Sequence, residues 1–229
     1  MKLLAFDTST QWLTVACVNG ARWCERAELA GQAHSQRLLP LIDEVLGESK
    51  LALRDLDALA FGAGPGSFTG VRISCGVAQG LGLGADLRLV PVSTLEAIAE
   101  SAWQSRGWAR VLACLDARMR EVYVAAYRRR DDGWIVEREP AVLRPDDVAA
   151  ETPGTCGAGD GFLAYADLAE RLALDAVDAG VIPGARAVAS LAMPRVAAGE
   201  AVRAAEALPA YVRHRVALTT AEREAGMRL

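Results

Sequence analysis

Apolar and polar residues alternate along the opening segment of the chain in the pattern that β-strands produce. Three segments show it, at 2–6, 12–19 and 22–29, and they are separated by the polar run Asp7-Thr8-Ser9-Thr10 and by Asn19-Gly20. Short polar interruptions between strand-like segments are typical of consecutive hairpins. The chain is therefore predicted to open with three strands.

From position 34 the apolar spacing becomes helical, and short apolar strands then alternate with helical segments. Gly47 is a plausible end for the first helix, and Ser93 with Glu96 resembles a capping box at the start of the third. The predicted helices are 34–46, 71–83 and 93–104, and the predicted strands are 57–61 and 87–92. This order predicts an α/β lobe.

The second half of the chain repeats features of the first in the same order. Strand 111–115 ends in Asp116 and is followed by a turn and a strand at 122–127, much as strand 2–6 ends at Asp7. The loop at 157–162 has the rhythm of the loop at 62–68 and precedes a helical pattern at 163–174. We interpret this as a duplicated α/β unit. Chance similarity is the alternative, because strand-Asp-turn sequences and glycine loops are common.

The duplication predicts a division of the chain into two lobes, 1–105 and 106–229. In the second lobe, the helical segment 185–198 is expected to break or kink at Pro194. The assignment of the tail at 208–229 stays open. The basic run at 128–130 is interpreted as a solvated hairpin tip, with an RNA contact as the alternative.

Composition narrows the function classes. The 229 residues include 29 acidic and 25 basic side chains, for a net charge of −4, so bulk charge does not favour nucleic-acid binding. No uncharged run approaches the roughly 20 residues of a membrane span, and the first residues do not resemble a secretory signal. The five cysteines form no Cys-x-x-Cys pair. We expect a cytoplasmic protein that is not embedded in a membrane.

Candidate chemistry centres on the end of the first strand and on the glycine-rich loop. Hydroxyl groups follow the Asp7 carboxylate, and the loop leads into a helix N-terminus, where backbone N–H groups favour an anion. The alternative is an Asx or Ser/Thr turn, and the Gly-Lys-Ser/Thr sequence of a Walker loop is missing. A vestigial phosphate site would consist of Asp7, Thr8, Ser9, Gly64, Gly66 and Ser67.

Metal and nucleophile chemistry find little support. The two histidines, His34 and His214, are far apart, and neither belongs to a His-x-x-x-His arrangement. Ser67 lies outside a Gly-x-Ser-x-Gly sequence and has no histidine near it in the chain. We therefore predict neither a catalytic residue nor a metal site.

The first two helices carry more apolar surface than one sheet needs. The apolar face of 34–46 is wider than the stripe of about 100° that buries a surface helix. The second helix has no charged residue from 73 to 85, and its glycines recur every four residues at Gly76, Gly80 and Gly84. This pattern predicts close contact with a partner. Burial inside one large domain is the alternative.

At this point the chain resembles the TsaB family, also called YeaZ. The resemblance spans nearly the whole chain, and its most specific part is Gly-Pro-Gly-Ser-Phe-Thr-Gly followed by Val-Arg-Ile. The matching segments lie at 4–10, 34–40, 64–73, 92–96, 116–118, 121–123 and 209–213.

The resemblance implies an actin/Hsp70/sugar-kinase-like fold of two RNase-H-like lobes. It also implies a non-catalytic subunit of the bacterial machinery that forms N6-threonylcarbamoyladenosine at position 37 of tRNA, with no cofactor of its own. The implied partners are a TsaD-like catalytic subunit and a TsaE-like ATPase, with a homodimer when the chain is alone and tRNA contact only through the complex. TsaC supplies threonylcarbamoyl-adenylate to this machinery.

The resemblance also implies that partners dock on the first two long helices. TsaD relatives carry a His-x-x-x-His-type metal motif there, whereas here His34 is followed by Leu38 at the fourth position. An ATP-dependent phosphotransferase of the same fold and a metallopeptidase-like relative remain the alternatives. The predicted contact residues are His34, Leu38, Leu39, Ile42, Val71, Ile73, Val77 and Leu81.

Overall fold

The computed structural model describes residues 1–131 and 133–212 and contains two five-stranded sheets. In the first sheet the order is β3-β2-β1-β4-β5; the first three strands are antiparallel, and β4 and β5 run parallel to β1. Its strands are β1 Lys2–Asp7, β2 Trp12–Asn19, β3 Arg22–Leu29, β4 Ala58–Gly64 and β5 Arg88–Ser93. All five strands predicted for this half are confirmed.

The second sheet repeats this topology, with the order β10-β9-β6-β7-β8. Strands β6, β7 and β8 form the antiparallel meander, and β9 and β10 are parallel to β6. Its strands are β6 Arg110–Arg118, β7 Glu121–Arg130, β8 Gly133–Leu143, β9 Cys156–Ala158 and β10 Val177–Asp178. The predicted duplication is therefore confirmed, although β8, β9 and β10 were not predicted as strands from the sequence.

Six α-helices lie in the described residues, together with three short 3₁₀ turns. Helix α1 passes the predicted end at Gly47 and ends where Lys50 adopts a left-handed conformation, with φ 54°. None of the described helices is long and apolar enough to cross a membrane. The helices are α1 His34–Ser49, α2 Phe68–Ala85, α3 Thr94–Arg106, α4 Gly161–Ala164, α5 Leu168–Arg171 and α6 Ala185–Ala197.

The first sheet is covered on both faces. Successive side chains of a strand point to opposite faces of the sheet, so both faces are apolar. In β1, Leu4 and Phe6 point to the face under α1 and α2, whereas Leu3 and Ala5 point to the face under α6. Helix α3 packs against α6 and also against β6 and β7 of the second sheet. It is therefore shared by the two lobes.

Helix α6 returns to the first lobe. It packs against β1, β2, β4 and β5, and its Val188 and Leu191 lie in the core of the first sheet. The predicted second lobe, 106–229, includes this helix, but α6 packs on the sheet of the first lobe. There it covers the apolar face that α1 and α2 leave open. It also runs through Pro194 as one helix, so it does not break there, and a kink at Pro194 stays a prediction.

The predicted helix at 163–174 was wrong. Two single-turn helices, α4 and α5, occupy this segment, and Tyr165 leaves the helical region between them with φ −134° and ψ 80°. Phe162 and Leu168 are both buried in the core under the second sheet. A continuous helix would place these two side chains about 120° apart at about 100° per residue, so the break allows both to enter the core.

Candidate functional site

A cleft of about 1050 Å³ lies between the two lobes. The first lobe contributes the turn after β1, including Ser9 and Thr10, and the start of α2. The second lobe contributes Asp116 at the end of β6 and Asp160 before α4. Equivalent points of the two duplicated sheets therefore meet across this cleft.

The carboxylate of Asp7 is buried and belongs to a turn. Its Oδ1 atom accepts hydrogen bonds from the Ser9 backbone N–H at 2.7 Å and from the Ser9 hydroxyl at 2.6 Å. Thr94 Oγ1 lies 3.5 Å from the other oxygen. This is the Asx turn that was weighed against a phosphate site, and it uses the carboxylate internally.

The glycine-rich loop packs directly on this turn. The Ser67 N–H donates to the Ser9 carbonyl at 2.7 Å, and Thr8 Oγ1 donates to the Gly70 carbonyl at 2.7 Å. A Cβ at Gly66 would lie 2.4 Å from the Ser9 carbonyl oxygen, and one at Gly70 would lie 1.9 Å from that of Thr8. Only glycine permits so close an approach.

The structure thus packs the loop at Gly66 and Ser67 directly on the turn formed by Asp7, Thr8 and Ser9. Ser67 Oγ is also used, because it accepts the Gly70 N–H at the start of α2. Gly64, in the left-handed region with φ 99°, packs against Val71. Phosphate binding at these residues stays a prediction, and their mutual hydrogen bonds argue against it.

Burial raises the pKa of Asp7 from 3.8 to about 6, although the hydrogen bonds from Ser9 oppose the rise. The folded protein therefore holds this proton more tightly than the unfolded chain does, and the contribution of Asp7 to stability falls as pH rises from about 4 to about 6. We expect Asp7→Asn to increase the free energy of unfolding at pH 8 by on the order of 3 kcal/mol, and to remove this pH dependence.

Urea unfolding of the two proteins between pH 4 and pH 8 measures this effect. Asp43→Asn is the matched control, because it makes the same substitution at an exposed position on α1. If Asp7→Asn followed the same curve as the parent protein, the carboxylate would not be held in this state.

The second lobe repeats the arrangement with different side chains. The Asp116 N–H donates to Asp160 Oδ1 at 3.0 Å, and Arg118 forms an ion pair with Asp116 at 3.0 Å. Burial raises the pKa of Asp160. A Cβ at Gly161 would lie 2.3 Å from Cys114 Sγ, so here too the loop packs tightly on the central strand. The repeated loop predicted at 157–162 therefore has the same packing role as its counterpart.

The predicted partner-contact residues divide into two groups. His34, Leu38, Ile42 and Val71 are buried inside the lobe, and His34 Nε2 lies 3.2 Å from the Trp12 carbonyl oxygen. Their inclusion in a contact surface needs correction, because they already pack on the sheet. The other four residues reach the surface: Leu39, which is 47% exposed, and Ile73, Val77 and Leu81, which are partly buried.

From residue 73 to residue 85 the outer face of α2 is flat and uncharged. Gly76, Gly80 and Gly84 are exposed, and a Cβ built on any of them meets no atom within 4 Å. Leu83 is 81% exposed beside them. Sequence reasoning missed Leu83, although its position one residue before Gly84 on an uncharged helix was a usable signal.

Within residues 1–131 and 133–212, no group of three or more His, Cys, Asp or Glu side chains is placed to hold a metal ion. His34 is buried against β2. The other histidine, His214, and the last part of the tail lie outside the described residues.

Two sheets of identical topology, a shared helix and a cleft between the lobes define a two-lobed α/β protein with the actin/Hsp70/sugar-kinase-like fold. A TsaB protein that is 42% identical over 95% of this chain places it in the TsaB family, also called YeaZ.

Two curated relatives match nearly the whole chain. The tRNA threonylcarbamoyladenosine biosynthesis protein TsaB of Escherichia coli is 42% identical over 223 residues, which cover 95% of this chain and 96% of the relative. The protein of the same name from Haemophilus influenzae is 38% identical over 226 residues, covering 94% and 95%. The sequence profile of a family described as "TsaD: tRNA N6-adenosine threonylcarbamoyltransferase" matches residues 27–155.

Solved structures agree with this family. YeaZ from Pseudomonas aeruginosa superposes with a TM-score of 0.84 at 40% identity, covering 92% of this chain and 99% of that one. A crystal structure from the same organism, described as an uncharacterized protein with similarity to peptidase YEAZ, gives a TM-score of 0.87 at 40% identity, covering 93% and 99%.

Proposed function

We propose that this chain is a non-catalytic subunit in the synthesis of N6-threonylcarbamoyladenosine on tRNA, and that it binds and activates a TsaD-like catalytic subunit. The observation that carries the proposal is the exposed, uncharged glycine face of α2 beside α1. The names of the curated relatives supply the pathway.

A glycine stripe suits this role because it lets a partner helix approach the backbone of α2 closely. Ile73, Val77 and Leu81 lie four residues apart and pack on the core of the lobe. They therefore form a fixed apolar edge along one side of the glycine stripe. Leu39 adds exposed apolar surface from α1. Docking here would stabilise the active arrangement of the catalytic subunit.

The remaining partners follow from the same surface. A second copy of the chain would use this face when the catalytic subunit is absent, so homodimer and heterodimer would exclude each other. A TsaE-like ATPase and tRNA would join the heterodimer. The packed loop at Gly66 and Gly70 supports a subunit without phosphotransfer chemistry, since its polar groups bond to the turn after β1.

Reconstitution tests the proposal. A TsaD-like protein, a TsaE-like ATPase, TsaC, ATP, threonine, bicarbonate and tRNA are incubated with or without this chain, and modified adenosine is measured by mass spectrometry of the digested tRNA. We expect product only when the chain is present. Equal product in its absence would refute the subunit role, and steady MgATP turnover or metal-dependent proteolysis by the isolated chain would refute its non-catalytic character.

A further inference from the structure

One rim of the interlobe cleft carries two exposed aromatic rings on either side of an arginine. The guanidinium carbon of Arg72 lies 3.3 Å from the centre of the Phe68 ring and 5.0 Å from that of Tyr211. Phe68 is 61% exposed and Tyr211 is 55% exposed. The three residues come from α2 and from the distant C-terminal segment, so the fold assembles this cluster.

The arginine of this cluster is held in place by a backbone hydrogen bond and by its two ring contacts. Its Nη1 atom donates to the Phe68 carbonyl at 2.9 Å. Among the described residues, no carboxylate lies within ion-pair distance of Arg72. In the part of the chain that the structure describes, Arg72 is therefore a fixed cation, stacked on aromatic rings and outside any ion pair, that an incoming anionic group can reach.

The C-terminal segment that supplies Tyr211 is anchored to the first lobe. The Ala210 N–H donates to the Ala63 carbonyl at 2.8 Å, and the Ala207 carbonyl accepts from Gln79 Nε2 at 2.9 Å. These bonds hold the segment against β4 and α2. The Tyr211 ring is thus presented at the cleft by a fixed backbone, which limits the entropy lost when a ligand stacks on it.

The opposite rim carries further cationic and apolar groups. Arg118, Met119 and Arg120 form the turn between β6 and β7, all with left-handed φ values of 60°, 55° and 61°. Met119 is 60% exposed, and Leu163 nearby on α4 is 78% exposed. Both Arg118 and Leu163 line the cleft. The cleft therefore has stacking surface on one rim, and on the other it has apolar groups together with Arg118, which is paired with Asp116, and the carboxyl group of Asp160.

We propose that the Phe68–Arg72–Tyr211 rim is a contact site for unpaired nucleotides of tRNA. Aromatic rings and arginine planes stack on unpaired bases, and the guanidinium group also binds phosphate. The chain has a net charge of −4, so recognition would depend on this local stacking rather than on bulk charge. The inference rests on the proposed function, which supplies tRNA as the substrate.

The test measures tRNA affinity of the complex formed with the catalytic partner, by fluorescence anisotropy of labelled tRNA. Arg72→Ala and Tyr211→Ala should each weaken binding by about 5- to 100-fold, the range for loss of one stacked base. Tyr211→Phe keeps the ring and should bind as the parent does. Arg54→Ala is the matched control, because Arg54 is an exposed arginine on the 3₁₀ turn Leu53–Asp55, away from the cleft residues.

Gel filtration of each variant with the catalytic partner separates the outcomes. Retained co-elution with weakened tRNA binding would support the rim as an RNA contact. Lost co-elution would overturn it by assigning the rim to the protein interface, and unchanged affinity would overturn it directly.

If the parent chain itself fails to bind the catalytic partner, the proposed function fails, and the RNA contact is then tested on the isolated chain. This test compares ultraviolet crosslinking to tRNA between the parent chain and Tyr211→Ala. A crosslink that is lost in the variant supports the contact, and an equal crosslink overturns it.

Discussion

Replacement of Gly80 by glutamate is expected to abolish binding of the TsaD-like partner while the chain remains folded. Gly80 lies in the middle of the exposed α2 stripe, and a Cβ there meets no atom within 4 Å. The new side chain therefore disturbs nothing within the lobe. Glutamate is also a better helix former than glycine, by roughly 0.5–1 kcal/mol, so the helix itself is not weakened.

The loss in binding would arise at the contact with the partner. In a close helix contact over the stripe, glutamate would insert both bulk and an unpaired charge where the partner backbone approaches. An uncompensated buried charge costs several kcal/mol, and each 1.4 kcal/mol is tenfold in the dissociation constant. We expect binding to weaken at least about 100-fold, measured by isothermal titration calorimetry with the purified partner.

Two comparison variants separate this effect from others. Ala150→Glu places the same charge on an exposed residue of the second lobe and should leave binding unchanged. Leu39→Asp changes the exposed apolar residue of α1 and should also weaken binding. Full-strength binding by Gly80→Glu, with a circular dichroism spectrum like that of the parent, would place the interface elsewhere.

The sequence predicted the fold well because its strongest signals are local. Asp7 and Asp116 mark equivalent points near the ends of two strands, and a glycine loop follows each of them later in the chain. Both sheets have the same strand order. Where prediction failed, a distant contact decided the structure. Glu96 was expected in a capping box, but its carboxylate binds Arg195 of α6. Nothing in the segment around Glu96 indicates that partner.

The candidate site was harder to predict, for a related reason. Residue type predicted surplus apolar surface on α1 and α2, but not that His34 and Leu38 point into the core while Leu39 points outward. That division depends on how each helix is rotated on the sheet. The rim formed by Arg72 and Tyr211 needs the C-terminal segment to cross α2, a contact between residues far apart in the chain.

In the basic run at 128–130, too, a distant contact decides the position of a side chain. Arg128 binds Glu137 at 2.7 Å, as a strand-surface residue can. Arg129, however, is only partly exposed and donates to Glu100 of α3 at 2.5 Å. The interpretation as a solvated hairpin tip was therefore wrong for Arg129, which connects the second lobe to the helix shared by both lobes.

Glu100 is the centre of this connection, and its replacement by alanine is expected to destabilise the protein strongly. Its side chain is 6% exposed and accepts from Arg129, from Trp134 Nε1 at 2.8 Å and from Gln104 Nε2 at 2.9 Å. Removal leaves the Arg129 charge and the Trp134 N–H without their acceptor. Loss of one member of a buried ion pair costs about 3–5 kcal/mol, and we expect the lower end because Arg129 keeps some contact with water.

Thermal and urea unfolding measure the effect. A loss of about 3 kcal/mol corresponds to a fall in Tm of roughly 6–12 °C for a chain of this size. Glu200→Ala, which removes an exposed carboxylate just after α6, should change the Tm little. Because Glu100 and Arg129 act as a pair, the double variant Glu100→Ala with Arg129→Ala should lose less stability than the sum of the single variants. Strict additivity, or a Tm for Glu100→Ala equal to that of Glu200→Ala, would show that α3 does not join the lobes through this carboxylate.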